Sequence, residues 1–216
     1  MKSGISSRQI NLDRVLFRNH QEHCYEVETI EGTIPPFVQG AYFLNGPARF
    51  ERNAVRYRNW LDGDGMICAL RFADGKVKFE NRFVQTNKLR LEEESGTFQF
   101  RTFGTAFEDD QLNLGLATAS PANVSVFPFA GQLLAFGEQS IPFALNMQTL
   151  ETIGAFDFHR ALNDVSPFSA HPKIDPQSGE LVNFGVSFSS SQPPVSYTHL
   201  RAHETKANLV CRLLLE

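Results

Sequence analysis

Three features of the sequence predict an all-β chain. Apolar residues recur at every second position in short runs, as half-buried strands require. Turn signals built on glycine, proline and asparagine separate those runs. No long helix is written anywhere. The turn glycines Gly75, Gly131 and Gly179 stand 56 and 48 residues apart, about the length of one four-stranded propeller blade. A sandwich also gives regular strands, so this spacing alone leaves both architectures open.

Taken in order, residues 1–39 read as an N-terminal arm, a strap over the body. Val27, Ile30 and Ile34 are its spaced apolar positions, and Pro35-Pro36 ends it. Gly40-Ala41-Tyr42-Phe43-Leu44-Asn45-Gly46-Pro47 reads as a short strand running into an Asn-Gly-Pro turn. Trp60-Leu61-Asp62-Gly63-Asp64-Gly65-Met66 holds two Asp-Gly pairs. These favour tight turns, because glycine accepts positive φ and aspartate can bond its own backbone. The spacing lacks the bidentate glutamate of an EF-hand, so a calcium loop is not expected.

Ile67–Phe72 and Lys76–Gln85 form a hairpin across Ala73-Asp74-Gly75, with Val77, Phe79, Asn81 and Phe83 on one face. Lys88–Glu94 is charged and reads as a solvated excursion. The phenylalanines of 97–107 read as packing between sheets. Asn123–Phe129 and Gln132–Gly137 form a second hairpin across Ala130-Gly131, with Glu138 at its end. Ile141–Leu145 and the run after Gln148-Thr149-Leu150 give further strands, and Leu181–Phe188 alternates again.

Between them lies Ser169-Ala170-His171-Pro172-Lys173-Ile174-Asp175-Pro176-Gln177-Ser178-Gly179-Glu180. Pro172 holds its own φ near −65° and pushes His171 toward an extended conformation. Asp175-Pro176 and Ser178-Gly179 make the following turn. His171 therefore stands at the end of a strand or just past it, where an imidazole can be aimed at a metal. Taken alone, a single histidine is more often a satisfied core or surface residue, because strong metal signals come in clusters.

Composition narrows the classes. The chain has 216 residues, 42% hydrophobic and 20% charged, which is usual for a soluble globular protein. A net charge of −4 gives no electrostatic case for nucleic acid. The apolar runs are far too short for a membrane-spanning helix. Met1–Asn19 lacks the apolar centre of a signal peptide. Cys24, Cys68 and Cys211 show neither disulfide nor metal spacing, so a reducing compartment is the default.

The phrases Gly40–Pro47, Trp60–Met66 and Ala170–Glu180 together resemble the carotenoid cleavage oxygenase family. That family includes carotenoid, apocarotenoid and stilbene dioxygenases and retinoid isomerases. The third phrase matches its Ala-His-Pro-Lys-x-Asp-Pro-x-x-Gly-Glu segment, while Leu44 departs from the arginine usual in the first. The resemblance spans roughly residues 35–189 and implies the N-terminal portion of a seven-bladed β-propeller with iron on its axis. It implies that His171 is one of four histidines binding Fe(2+). It further implies that Glu138 accepts a hydrogen bond from a ligand histidine. His20, His23 and His159 match no ligand of the family.

The implied reaction adds O2 across a conjugated double bond of an apolar polyene or stilbene and yields two carbonyl products. Two alternatives stand beside it: a non-catalytic binding propeller, and an isomerase using the same iron site. The expected location is cytoplasmic. Peripheral contact with a membrane is compatible with substrates that partition into lipid. No feature speaks to an oligomeric state.

The text changes near residue 194. All 20 phenylalanines lie before residue 190, and Pro194–Glu216 contains neither phenylalanine nor glycine. His199 and His203 could share a helix face like a zinc pair, with Leu209, Val210, Leu213 and Leu214 as an apolar stripe. The segment instead resembles a translated sequencing adapter. The expected organisation is therefore an arm (1–39), a partial propeller (40–193) and a non-native tail (194–216). The other three iron ligands are expected in blades beyond this chain, and the chain by itself is expected to be inactive and poorly folded.

Overall fold

Strand-forming runs and left-handed turns dictate the architecture of the computed structural model, which describes residues 17–111, 119–138, 140–162, 168–186 and 195–201. Strands β1 (His23–Glu26) and β2 (Gly40–Arg49) come first, then a small ribbon of β3 (Glu51–Arg52) and β4 (Val55–Arg56), then β5 (Asp64–Ala73) and β6 (Lys76–Phe83). Four of them form an antiparallel sheet in the order β1-β6-β5-β2. A second sheet is a plain meander of β7 (Ser125–Phe129), β8 (Gln132–Phe136), β9 (Phe143–Leu145) and β10 (Thr152–Ala155). A third contains β11 (Lys173–Ile174), β12 (Glu180–Val186) and β13 (Val195–Arg201).

The expected hairpins are present, and their turns explain them. Asp74 and Gly75, with φ of 50° and 74°, join β5 to β6. Ala130 and Gly131, with φ of 50° and 75°, join β7 to β8. Two successive left-handed residues match the twist of the flanking strands, as two-residue hairpins require.

The second sheet is buried on both faces. From β8, Leu133 and Ala135 point toward the first sheet and join Ile67, Ala69, Phe143 and Leu145. Leu134 and Phe136 point the other way and join Phe168, Ala170 and Leu181. A strand whose two faces are both apolar and both covered belongs to a sheet packed between two others.

Four sequence expectations change, the last of them at the 97–107 phenylalanines. The N-terminal arm is more than a strap, because β1 pairs with β6 and forms the edge of the first sheet. Asn45-Gly46-Pro47 is strand, not turn: β2 continues to Arg49, with an irregularity after Pro47. The Asn45 amide donates to the Ala122 and Ser125 carbonyls, at 2.9 Å each, and so does not close a local turn. The charged run is helix α1 (Asn87–Ser95). Thr86 caps it by accepting the Leu89 N–H at 3.0 Å, and Gly96 ends it with φ of 71°.

Lys88, on α1, is completely buried. Its Nζ lies 2.7 Å from Asp64 Oδ1 and 2.9 Å from Glu92 Oε2. Arg52 joins Asp64 at 3.1 Å, and Glu92 also accepts the Gln99 and Phe100 N–H groups. Two cations and two carboxylates thus balance in a dry pocket walled by Tyr57 and Phe98, whose ring centroids are 4.0 Å apart. Phe98 and Phe107 pack around Tyr57 and not between sheets, while Phe103 is exposed. Burial opposes the Lys88 charge, but Asp64 and then Glu92 outweigh it and hold its pKa above the ordinary lysine value. A raised pKa means that this stabilisation is complete below the unfolded value, about pH 10. It fades only at more alkaline pH, as the folded value is approached.

Removing Lys88 leaves two buried carboxylates, Asp64 and Glu92, with Arg52 as their one remaining cation among the described residues. Lys88→Met is expected to destabilise the fold by about 3–5 kcal/mol, read from urea unfolding. A loss below ~1 kcal/mol would mean that the quartet behaves like a surface pair.

Candidate metal site

The frame of the site is a backbone contact between the first two sheets. Gly65, at the start of β5, lies against the 121–122 backbone. A Cβ added there would stand 2.1 Å from the Ala122 carbonyl oxygen. The Gly65 N–H donates to Pro121 O at 2.8 Å, and the Asn123 amide donates to Leu61 O and Gly63 O at 2.7 Å each. The Asp-Gly-Asp-Gly phrase is therefore a junction. Asp62 receives Gly104 N–H at 2.9 Å and the Thr105 hydroxyl at 2.6 Å, and Asp64 anchors Lys88.

His171 sits just before β11 and not at the end of a strand. Pro172 has no N–H to continue a ladder, so the pairing with β12 resumes at Lys173. The backbone ahead of His171 is pinned from both sides. Ser169 donates through its hydroxyl to Asn183 Oδ1 at 2.9 Å, and the Asn183 amide returns a bond to Ser169 O at 2.8 Å. The Ser125 hydroxyl, from β7, donates to Ala170 O. The His171 N–H donates to Ser169 Oγ at 3.2 Å. Ser169 and Asn183 are buried, whereas the His171 side chain is 58% exposed. The chain is fixed and the imidazole is presented.

Glu138 lies in the turn after β8. Its Oε1 is 2.6 Å from His171 Nε2, and its Oε2 accepts the Ala170 N–H at 3.4 Å. The structure thus brings together the two residues singled out from the sequence, 33 positions apart. Sequence reasoning missed Ser125, Ser169 and Asn183, whose only signal was a small polar residue inside or beside an apolar strand.

A carboxylate on one ring nitrogen fixes the tautomer and plane of a histidine, which is how metal-ligating imidazoles are held. The pair fits one ligand and its orienting acceptor. Among the described residues no group of three or more His, Cys, Asp or Glu could hold a metal ion. Both side chains of the pair are about half exposed, His171 at 58% and Glu138 at 49%. His20 and His23 are exposed near the first sheet, and exposed His159 sits 6.3 Å from the Phe156 ring. His203 and Cys211 lie outside the described residues, and His199 is on the backbone of β13, so it is not helical.

Successive antiparallel sheets packed face to face, with His171 and Glu138 meeting where the second and third approach, fit the blades of a β-propeller. The family profile for the retinal pigment epithelial membrane protein matches residues 16–213. Apocarotenoid-15,15'-oxygenase from Synechocystis sp. is 37% identical over 162 residues, covering 73% of this chain and 33% of that protein. Isoeugenol monooxygenase from Pseudomonas putida is 35% identical, covering 76% of this chain and 34% of that protein. Among solved structures, a cobalt-substituted form of the Synechocystis apocarotenoid oxygenase superposes with a TM-score of 0.75 at 30% identity, covering 88% of this chain and 42% of that one. The lignostilbene dioxygenase of Pseudomonas brassicacearum gives 0.74 at 31% identity, covering 86% and 38%. This chain belongs to the retinal pigment epithelial membrane protein family, the carotenoid cleavage oxygenases that its motifs resemble. It spans about a third of the length of the curated relatives it matches.

Gly65→Ala tests the frame. The added methyl meets backbone and not a movable side chain, so the 120–123 loop must shift. A cost of at least about 1–3 kcal/mol is expected, with reduced protection of the residue-65 amide that donates to Pro121 O. Unchanged stability and protection would mean that the two sheets are not registered by this contact.

Proposed function

We propose that this chain is the N-terminal part of a non-haem iron oxygenase. The whole protein cleaves a conjugated carbon–carbon double bond of an apolar polyene or stilbene, with O2 as co-substrate. The observation that supports the reading is the Glu138–His171 contact at 2.6 Å, at the open side of sheets that belong to this family. His171 serves as one of four histidine ligands and Glu138 as an orienting acceptor. Neutral imidazoles suit ferrous iron, which when bound supplies the activation of O2. The residues of this chain hold a ligand ring at a fixed angle on a backbone pinned by Ser125, Ser169 and Asn183. Cleavage is preferred to isomerisation because the matched relatives are named as cleaving oxygenases or monooxygenases. The non-catalytic alternative would require that the longer gene lack the other three histidines.

The same reading treats residues 194–216 as a non-native tail. The pairing of β13 along β12 is compatible with this, because a ladder is made by backbone groups that any extended segment carries. Sequencing the source DNA across these codons decides it. A frame that runs on into further blades and three histidines supports the reading, and a gene that ends at Glu216 removes it.

Two measurements follow. The 216-residue chain alone is expected to hold far less than one iron per chain, while the longer protein binds iron and loses it in His171→Ala. Glu138→Gln in the longer protein is expected to weaken metal affinity about 10–100-fold. Stoichiometric iron in the short chain, or undiminished iron in the His171 variant, contradicts the proposal. We also propose peripheral membrane contact for what we read as a cytoplasmic protein; the exposed Trp60, Leu61 and Phe103 around the Asp62–Gly104 junction support the contact. Co-sedimentation of the longer protein with phosphatidylcholine vesicles should fall in Phe103→Asp, and equal sedimentation would remove that contact.

A further inference from the structure

Two buried serines lie between the sheet junction and Glu138, and nothing described so far uses them. Ser120 and Ser140 are 3% and 1% exposed, and their hydroxyl oxygens are 2.7 Å apart. Ser120 Oγ accepts the Ala122 N–H at 3.2 Å, and Ser140 donates to the Gly137 carbonyl at 3.3 Å. A hydroxyl has one proton to give. Since Ser140 spends its proton on Gly137 O, Ser120 must be the donor between the two. The four groups then form one directed relay: Ala122 N–H to Ser120, Ser120 to Ser140, Ser140 to Gly137 C=O. No hydroxyl proton is left over.

The relay ends on the residue before Glu138. At Gly137, a Cβ would meet Ser120 Oγ at 2.6 Å, so the turn rests directly on the hydroxyl pair. At its other end, Ala122 is fixed by the Gly65 contact and by the Asn45 amide. Ala122 also holds a left-handed φ of 46°, uncommon for a residue with a Cβ. Buried and fully satisfied polar chains of this kind are rigid. Glu138 itself is half exposed, and among the described residues His171 Nε2 and the weaker Ala170 N–H hold its carboxylate.

We infer that Ser120 and Ser140 are positioning residues: their hydroxyl relay transmits the register of the first two sheets to the Glu138 turn and fixes the carboxylate against the ligand histidine. The inference rests on the proposed oxygenase reading only in taking His171 and Glu138 as site residues. The relay acts through Glu138, so its removal matters only while Glu138 is there to be aimed.

The test is a double-mutant cycle in the longer iron-loaded protein, read as the rate of iron loss to a ferrous chelator, with melting temperature recorded alongside. Ser140→Ala is expected to release iron about 10-fold faster, at the low end for outer partners of a metal ligand, with its folding transition retained. Ser120→Ala breaks the relay from the other end and should match it. In the Glu138→Gln background, Ser140→Ala should add little, because interacting groups are not additive. Equal acceleration with glutamate or glutamine at 138, or no acceleration at all, overturns the inference. So does loss of the folding transition in both serine variants, which would make the pair a stability element. A His171→Ala protein that keeps its iron would overturn the metal reading instead, so the two failures are distinguishable.

Discussion

The close approach of Gly65 to the 121–122 backbone is the constraint on which the other features rest. Two sheets meet there with no side chain between them, and only glycine permits it. The contact fixes where Ala122 and Asn123 stand, hence where β7 starts and where the relay to Glu138 begins. On the other side it fixes Asp64, which must then find a cation inside the protein because no water reaches it. One backbone contact therefore bears on both the ionic pocket and the turn that carries Glu138.

The ionic pocket is an expensive way to hold a helix. Desolvating four charges costs several kcal/mol per ion, and their mutual attraction returns about that much when the geometry is good. A set of apolar residues would pack α1 as tightly. What the charges add is direction: Lys88 reaches Asp64, and Glu92 reaches Arg52, only when α1 lies in one register against the Asp-Gly-Asp-Gly junction. That use of buried charge for register and not for net stability is consistent with the balance of two cations and two carboxylates.

Local features were legible in the sequence, and contacts across sheets were not. The Asp74-Gly75 and Ala130-Gly131 hairpins follow from turn chemistry between alternating runs, because both causes lie within a few residues. The Asn45-Gly46-Pro47 phrase misled for the same reason: its local chemistry favours a turn, but the Asn45 amide is spent on the second sheet. Lys88 and Glu92 read as solvent-facing because their partners Asp64 and Arg52 are distant in sequence. His171 and Glu138 were found only through the family resemblance, since nothing local says that residues 33 positions apart will touch. Ser120 and Ser140 carried no signal, as two serines look the same whether they bond water or each other.

The strand order β1-β6-β5-β2 has a consequence for how the chain is made. Strand β1 emerges first but pairs with β6, and His23 bonds Asn81 across 58 positions. Its ladder partner does not exist until the second and third strands of that sheet have been synthesised. Closing a loop of that length costs about 3–4 kcal/mol of chain entropy, which the four residue pairs of β1 must offset. The pairing edge of β1 is thus completed late: Asn19 and His20 can hold the 48–51 segment earlier, but the β1 ladder must wait for β6.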